Sequence, residues 1–326
     1  MARLVAAFAS SHSPMLTADV HDWEVNFAAR DATRAHVDLD GRPTTFAELL
    51  ASAPADARAR IAPAELARRH AATRVALARL REDIARAELD ALIVIGDDQE
   101  ELFDHTNMPA IAIWHGPTIP NAARPSLAAP DWQDRARAHY LEDGQDVAHA
   151  CDPALALHLL AALGMAGFDL SAARSAPAGK YEGHAFSFVH RVLGTTVPMV
   201  PLFLNAYYPP NQPSPVRCFA LGAALRDAVA SYRADARIGV FASGGLSHFV
   251  VDEAHDRAIV TAFQNRDHAM LRGIGLQKLQ SGSSEIRNWI CLAGTLGDLR
   301  LDWIEYQPGY RSPALTGTGL CFAHWR

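Results

Sequence analysis

Apolar runs at residues 3–9, 91–95, 110–114, 197–204 and 238–242 are short and partly β-branched, and each stops at a turn or polar residue. Strands buried inside a sheet have this pattern. Between them, apolar positions recur at helical spacing. The clearest case is 63–87, where Pro63 suits a first helical turn and Leu66, Val75, Leu77, Leu80 and Ile84 recur among Arg and Glu. Helices are also predicted over 153–163, 184–193, 216–232, 253–272 and 285–296. The alternation predicts an α/β fold: a single-domain sandwich over 1–326, with a central mixed sheet flanked by helices and an active site at the strand ends. Residues 116–130 and 205–215 carry several prolines and read as loops; the second holds Tyr207 and Tyr208, suited equally to a rigid pocket wall and to an ordered surface connection. Residues 20–60 are weakly periodic and read as an insertion, either a lid or an oligomer contact.

Composition narrows the classes. With 49% apolar and 20% charged residues the chain is that of a globular protein, and no apolar run approaches the roughly 20 residues a membrane span needs. The start, Met1 to Ser10, superficially resembles a signal peptide, but His12 and Pro14 stand where a cleavage region would lie, so a first strand is expected. Cys151, Cys218, Cys291 and Cys321 form no CxxC pair, which indicates neither a disulfide framework nor a zinc-thiolate site and fits a reducing cytoplasm. The net charge of -6, without a long Lys/Arg cluster, gives no footprint for nucleic acid.

Chemistry concentrates where the apolar runs end: Ser11-His12-Ser13-Pro14, Gly96-Asp97-Asp98-Gln99, and Ser243-Gly244-Gly245-Leu246-Ser247-His248. A fourth cluster, Ser284-Glu285-Ile286-Arg287-Asn288-Trp289, opens an amphipathic run. A lone histidine is usually structural, but His12 follows a strand, and His248 follows a Gly-Gly turn that lets backbone approach a ligand. Glu285 supplies the negative charge a divalent cation requires. Together these types point to a mononuclear metal site. A serine-hydrolase elbow at Gly245-Leu246-Ser247 is excluded, because Phe249 stands where its last glycine is needed.

These motifs, with Gly183-His184, together resemble the type III extradiol ring-cleavage dioxygenases, the superfamily of the protocatechuate 4,5-dioxygenase catalytic subunit. Asn107-Met108-Pro109, Tyr207-Tyr208-Pro209-Pro210-Asn211-Gln212 and Tyr310-Arg311-Ser312-Pro313 look most like the single-chain 3-O-methylgallate dioxygenase branch. The resemblance implies a mononuclear non-haem Fe(II) held by two histidines and a glutamate. It also implies O2 and a small catechol, gallate, O-methylgallate or hydroxylated heteroaromatic as substrates, and a homo-oligomer, at least a dimer. His12 and Glu285 match the first histidine and the glutamate. The second histidine is replaced: register puts Gln99 there. Three readings follow: Gln99 ligates through its amide oxygen, Asp98 turns to the metal, or the ligand is displaced, as to His105, in a site that binds iron poorly.

A catechol hydroxyl titrates near tyrosine, at about 10, so binding it at neutral pH requires a cation and a base. His248 matches the family's acid/base, and His184 a position facing substrate or O2; His190 reads as structural. Arg311 is suited to a bidentate pair with a substrate carboxylate or, equally, to a surface salt bridge. Two other classes stand beside the dioxygenase: a metal-poor aromatic-binding or regulatory homologue, and a metal-assisted hydrolase on the same scaffold.

Overall fold

Alternate residues of the first strand belong to different cores: Ala7 and Ala9 pack into one apolar layer, Ala6 and Phe8 into the other. The same parity separates Ile93 and Ile95 from Leu92 and Val94. A computed structural model describes residues 1–326. Its strands are β1 (Arg3–Ser10), β2 (His36–Val37), β3 (Pro43–Thr44), β4 (Ala91–Gly96), β5 (Ile111–Trp114), β6 (Thr118–Asn121), β7 (Val147–Ala150), β8 (Ser171–Ala173), β9 (Met199–Leu204), β10 (Arg237–Ser243), β11 (His248–Val250), β12 (Leu301–Tyr310) and β13 (Thr316–Trp325). Nine of them form one mixed sheet in the order β11-β13-β1-β10-β4-β9-β5-β8, with β12 also paired to β13. β1, β10, β4 and β9 run parallel, while β13 is antiparallel to its neighbours and β5 is antiparallel to β9 but parallel to β8.

Helices cover both faces. The long one, Pro63–Arg86, buries Leu66, Leu77, Leu80 and Ile84, whereas Val75 is 69% exposed and Thr73 and Ala76 complete the buried stripe. On the other face Ile286–Thr295 is buried along its length and packs with Pro215–Ser231. Gly222 and Gly294 allow this: a Cβ at Gly294 would meet Gly222 Cα at 3.0 Å.

Several boundaries differ from the sequence reading. The run 253–272 is two helices, Glu253–Asn265 and His268–Arg272, broken by Arg266 in the left-handed region (φ 57°) and restarted by Asp267, whose side chain caps Met270 N–H. The run 184–193 opens as an α-helical turn at His184–Ser187 and widens to a π turn at Phe188–Val192. Within the expected loop 116–130, β6 pairs with β7. β13 is the largest omission, because its Thr-Gly-Thr-Gly start is poor strand sequence. Those glycines answer to packing: a Cβ at Gly317 would strike the Gly309 carbonyl, and one at Gly319 the Asp256 carboxylate. Residues 20–60 hold short helical turns and the β2–β3 hairpin. Phe27, Arg30 and Arg34 from this segment form part of the wall of the main cavity. No helix is long and apolar enough to cross a membrane.

Candidate active site

Ser10 is in register with Ser243, Ala242 with Ile95, and Gly96 with Phe203. The chain therefore leaves β1, β4, β9 and β10 at one edge of the parallel core, and each exit begins with polar residues. They border a cavity of about 560 Å³ whose wall includes His12, Gln99, His184, Tyr207, His248, Glu285 and Arg311. These seven residues, singled out from the sequence for chemistry, thus reach one place.

His12 is buried just beyond β1, and its tautomer follows from its partners. Ser243 Oγ–H donates to the Ala185 carbonyl at 2.6 Å, so Oγ is left to accept from His12 Nδ1–H at 3.0 Å. Nε2 then carries the lone pair. That atom is buried without a hydrogen bond and lies 3.3 Å from Glu285 Oε2. A lone pair facing a carboxylate oxygen repels it unless a cation or proton lies between them.

Glu285 enters from the other face, at the start of helix Ile286–Thr295. Its Oε1 accepts from Tyr207 O–H at 2.6 Å and His248 Nε2 at 3.1 Å, and its Oε2 from Gly245 N–H at 2.7 Å. Burial alone would raise its pKa; His248 opposes burial and holds it well below the usual carboxylate range. His248 donates Nδ1–H to the Leu246 carbonyl at 2.8 Å, which leaves Nε2 as its working nitrogen. Burial opposes its protonation, and Glu285 reverses that and raises its pKa. Gly282 is required here, because a Cβ would overlap the His248 ring.

Beneath these groups lies Asp97, wholly buried, accepting from Gln99 Nε2 at 3.2 Å and Asn288 Nδ2 at 3.3 Å. Burial, then the charge of Glu285, raises its pKa. Asp97, His12 and His184 each offer a donor atom, all within 4.8 Å of one another. The His184 ring meets that of His12 edge-on, centroids 4.6 Å apart, and its Nδ1 is held by Glu101 Oε1 at 2.5 Å. Burial would lower the His184 pKa, but Glu101 outweighs it and lifts it to about 10, while Glu101, against its own burial, is drawn down to about 2. Both histidines are thus oriented by a partner on Nδ1, as metal-binding histidines are.

Two of the other candidates for the missing imidazole face elsewhere. Asp98 accepts from Leu102 N–H at 2.9 Å and Phe103 N–H at 3.1 Å, closing a turn, and burial raises it to about 7. His105 is on the surface, 2.9 Å from Glu100. Gln99 borders the cavity and donates its amide to Asp97. Arg311 is no surface residue: it is buried and donates Nε–H to the buried Asp31 at 2.9 Å. The sequence reading overlooked Asp97, Glu101 and Asp31. A second group, Asp83, Asp302 and His324, is already met by Arg79, Arg86 and Arg326.

Two imidazoles and two carboxylates, three of them buried and His184 partly so, converge from strand ends and helix starts with their outer atoms fixed and fit a divalent first-row metal. The fold and site define the class: an α/β protein with a metal-type centre in the crevice at the carboxyl ends of its parallel strands. The family model described as the catalytic LigB subunit of aromatic ring-opening dioxygenase matches residues 146–320, more than half of the chain, and the chain belongs to this family. Membership makes it an aromatic ring-opening dioxygenase, with an aromatic ring and O2 as co-substrates. His184, Tyr207, His248, Glu285 and Arg311 lie within the matched span; His12, Asp97 and Gln99 precede it. No curated protein matches the chain significantly.

Proposed function

We propose that the protein is a non-haem Fe(II)-dependent extradiol dioxygenase, opening a catechol-, gallate- or O-methylgallate-type ring beside a hydroxyl. The observation that carries this reading is the His12 Nε2 lone pair, buried, without a hydrogen bond, and aimed at Glu285 Oε2 at 3.3 Å. His12, His184, Asp97 and Glu285 would hold the iron, a nitrogen and oxygen set of the kind non-haem Fe(II) takes. Bound there, Fe(II) would activate O2 and favour the ionised form of a ring hydroxyl.

Gln99 serves through Asp97: its amide orients the carboxylate, so an oxygen donor two residues earlier takes over from the imidazole absent at 99. With Nδ1 committed to Leu246, Nε2 is the ring nitrogen left to exchange a proton with substrate: it takes the substrate's proton once the one it donates to Glu285 has been given up, and later returns it. Tyr207 fixes Glu285 Oε1 and closes one side of the cavity over the ring. The four cysteines are free and buried, in keeping with a cytoplasmic enzyme.

The test is anaerobic loading with Fe(II), then oxygen-electrode recordings with catechol, protocatechuate, gallate and 3-O-methylgallate, and metal analysis of the same samples. O2 uptake matched to substrate loss, abolished in His12→Ala, supports the reading. Absence of bound iron and of uptake would leave a binding protein on this scaffold and overturn it.

A further inference from the structure

We propose that Asp256 is a positioning residue for the ring-opening reaction: its carboxylate grips Ser247 and so holds the turn that presents His248 to Glu285. This deepens the reading of His248 given above and rests on it. Asp256 lies in the first turn of helix Glu253–Asn265 and is wholly buried. Its Oδ1 accepts from Ser247 N–H at 2.9 Å, and its Oδ2 from Ser247 Oγ–H at 2.7 Å and Tyr306 O–H at 2.8 Å. The Ser247 hydroxyl has no freedom left, because its Oγ accepts from Asp252 N–H at 2.8 Å while its proton goes to Asp256.

Ser247 stands between the two residues that fix the proton carrier. On one side Leu246 offers the carbonyl that holds His248 Nδ1–H at 2.8 Å; on the other is His248 itself, whose Nε2 lies 3.1 Å from Glu285 Oε1. Gly244 and Gly245 give this turn no side-chain anchors of their own, so its shape depends on what Ser247 is tied to. Strand β13 closes the arrangement from behind. Gly319 N–H donates to the Ser247 carbonyl at 2.8 Å, and a Cβ at Gly319 would displace Asp256 Oδ2.

Stability does not account for this carboxylate. Its donors are all neutral groups, and a buried carboxylate without a cation is costly. Of the titratable groups around it, Asp252 on its own helix opposes its charge and is itself paired with Lys278 at 2.8 Å; Tyr306 on β12 and the buried Cys321 on β13 face it as neutral groups. Burial outweighs the hydrogen bonds and raises Asp256 to about 6 from an ordinary 3.8. The folded protein therefore holds this proton more tightly than the unfolded chain, and stability present below pH 3.8 is lost as pH rises through about 6. A neutral side chain would serve the fold better. The charge serves the turn, since an ionised carboxylate accepts from three donors at once, whereas an acid or an amide there would turn a proton on one of them.

The experiment measures kcat, KM and metal affinity of the Fe(II)-loaded protein for wild type, Asp256→Asn, Ser247→Ala and Tyr306→Phe. Oxygen-electrode recordings with protocatechuate and gallate are made on both sides of pH 6, with chelator competition on the same samples. Well above that pH, Asp256→Asn should lower kcat roughly 10- to 100-fold, the size of a misplaced catalytic group, with KM and metal affinity within about threefold of wild type. In wild type kcat should fall as pH drops through about 6, and Asp256→Asn, already in the neutral state, should be flat there. Tyr306→Phe takes a donor from the same carboxylate without touching Ser247. Its kcat at the upper end should stay within about threefold of wild type, and its fall should move to higher pH, because a carboxylate with one donor fewer protonates more readily.

A wild-type kcat in Asp256→Asn overturns the proposal, as does a Tyr306→Phe loss equal to that of Asp256→Asn, which would mark a carboxylate that serves the fold alone. Should Asp256→Asn not fold, Ser247→Ala decides: it keeps Asp256 and Tyr306 and should lose roughly tenfold in kcat, and an unchanged kcat overturns the proposal. If wild type takes up no O2, the ring-opening reading falls, and histidine side-chain NMR of the metal-free protein tests the positioning by itself. A His248 Nδ1–H signal protected from exchange in wild type and Tyr306→Phe but lost in Asp256→Asn upholds it; the same signal in all three overturns it.

Discussion

Replacing Asp97 by asparagine removes a charge but keeps the shape, and its effect on stability should change sign with metal. Without metal, Asp97 is a wholly buried carboxylate whose ionised form is disfavoured by burial and by Glu285. Asp97→Asn relieves both and still accepts from Gln99 or Asn288, so the metal-free protein should melt higher than wild type. With metal the variant lacks a charged donor. A metal at a hundredfold its dissociation constant stabilises by about 2.7 kcal/mol. For 326 residues at about 2.1 cal/mol/K of unfolding entropy each, 1 kcal/mol shifts Tm by about 1.5 °C, so wild type should gain about 4 °C.

Even partners behind a ligand cost up to about 100-fold in affinity when lost. A loss of that size in Asp97→Asn leaves about 0.4 kcal/mol, or under 1 °C. Gln99→Leu, which removes an orienting amide, should lose about tenfold and keep about 2 °C. The assay is anaerobic scanning calorimetry with and without Fe(II). A full metal-induced shift in Asp97→Asn, with none in Gln99→Leu, would make Gln99 the ligand and refute the reasoning; so would a lower metal-free Tm for Asp97→Asn.

Three further outcomes follow from the same contacts. Ser243→Ala unties His12 Nδ1 and should weaken metal binding roughly 10- to 100-fold, read by chelator competition; unchanged affinity would show that the tautomer is set elsewhere. Asp31→Ala leaves the buried Arg311 and the partly buried Arg30 without their carboxylate and should cost about 3–5 kcal/mol in urea unfolding; under about 1 kcal/mol would mean that solvent reaches Arg311. His190 is depressed to about 3 by burial and by His149, from an ordinary 6.5. As pH falls below 6.5 the unfolded chain takes a proton there that the folded protein refuses, so stability should drop towards pH 3, and His190→Asn should flatten that limb in denaturant midpoints measured against pH.

The sheet core and the polar exits were legible because buried strands are short, apolar and punctuated, and because each chemical cluster sits at such a stop. β13 was not, since its glycines answer to Gly309 and Asp256, contacts invisible along the chain. The pairing of Arg311 with Asp31 spans 280 positions and left no local trace. Asp97 did leave one. Ile93 and Ile95 belong to the same apolar layer as Ile286, Trp289 and Ile290, so strand parity carries Asp97 towards the helix that begins at Glu285 and its neighbour Asp98 away from it. Alignment by motif pointed instead to Gln99, the position where the family keeps its histidine.

A carboxylate in place of that imidazole, as proposed above, would have a consequence for the rest of the cavity. Asp97 and Glu285 together would cancel the charge of a divalent cation, where one carboxylate with neutral imidazoles would leave a positive unit. A neutral centre would draw less on a ring hydroxyl, so more of the deprotonation would fall to a protein base, and His248 Nε2, 3.1 Å from Glu285 Oε1, would take it once the proton it donates to that oxygen is released.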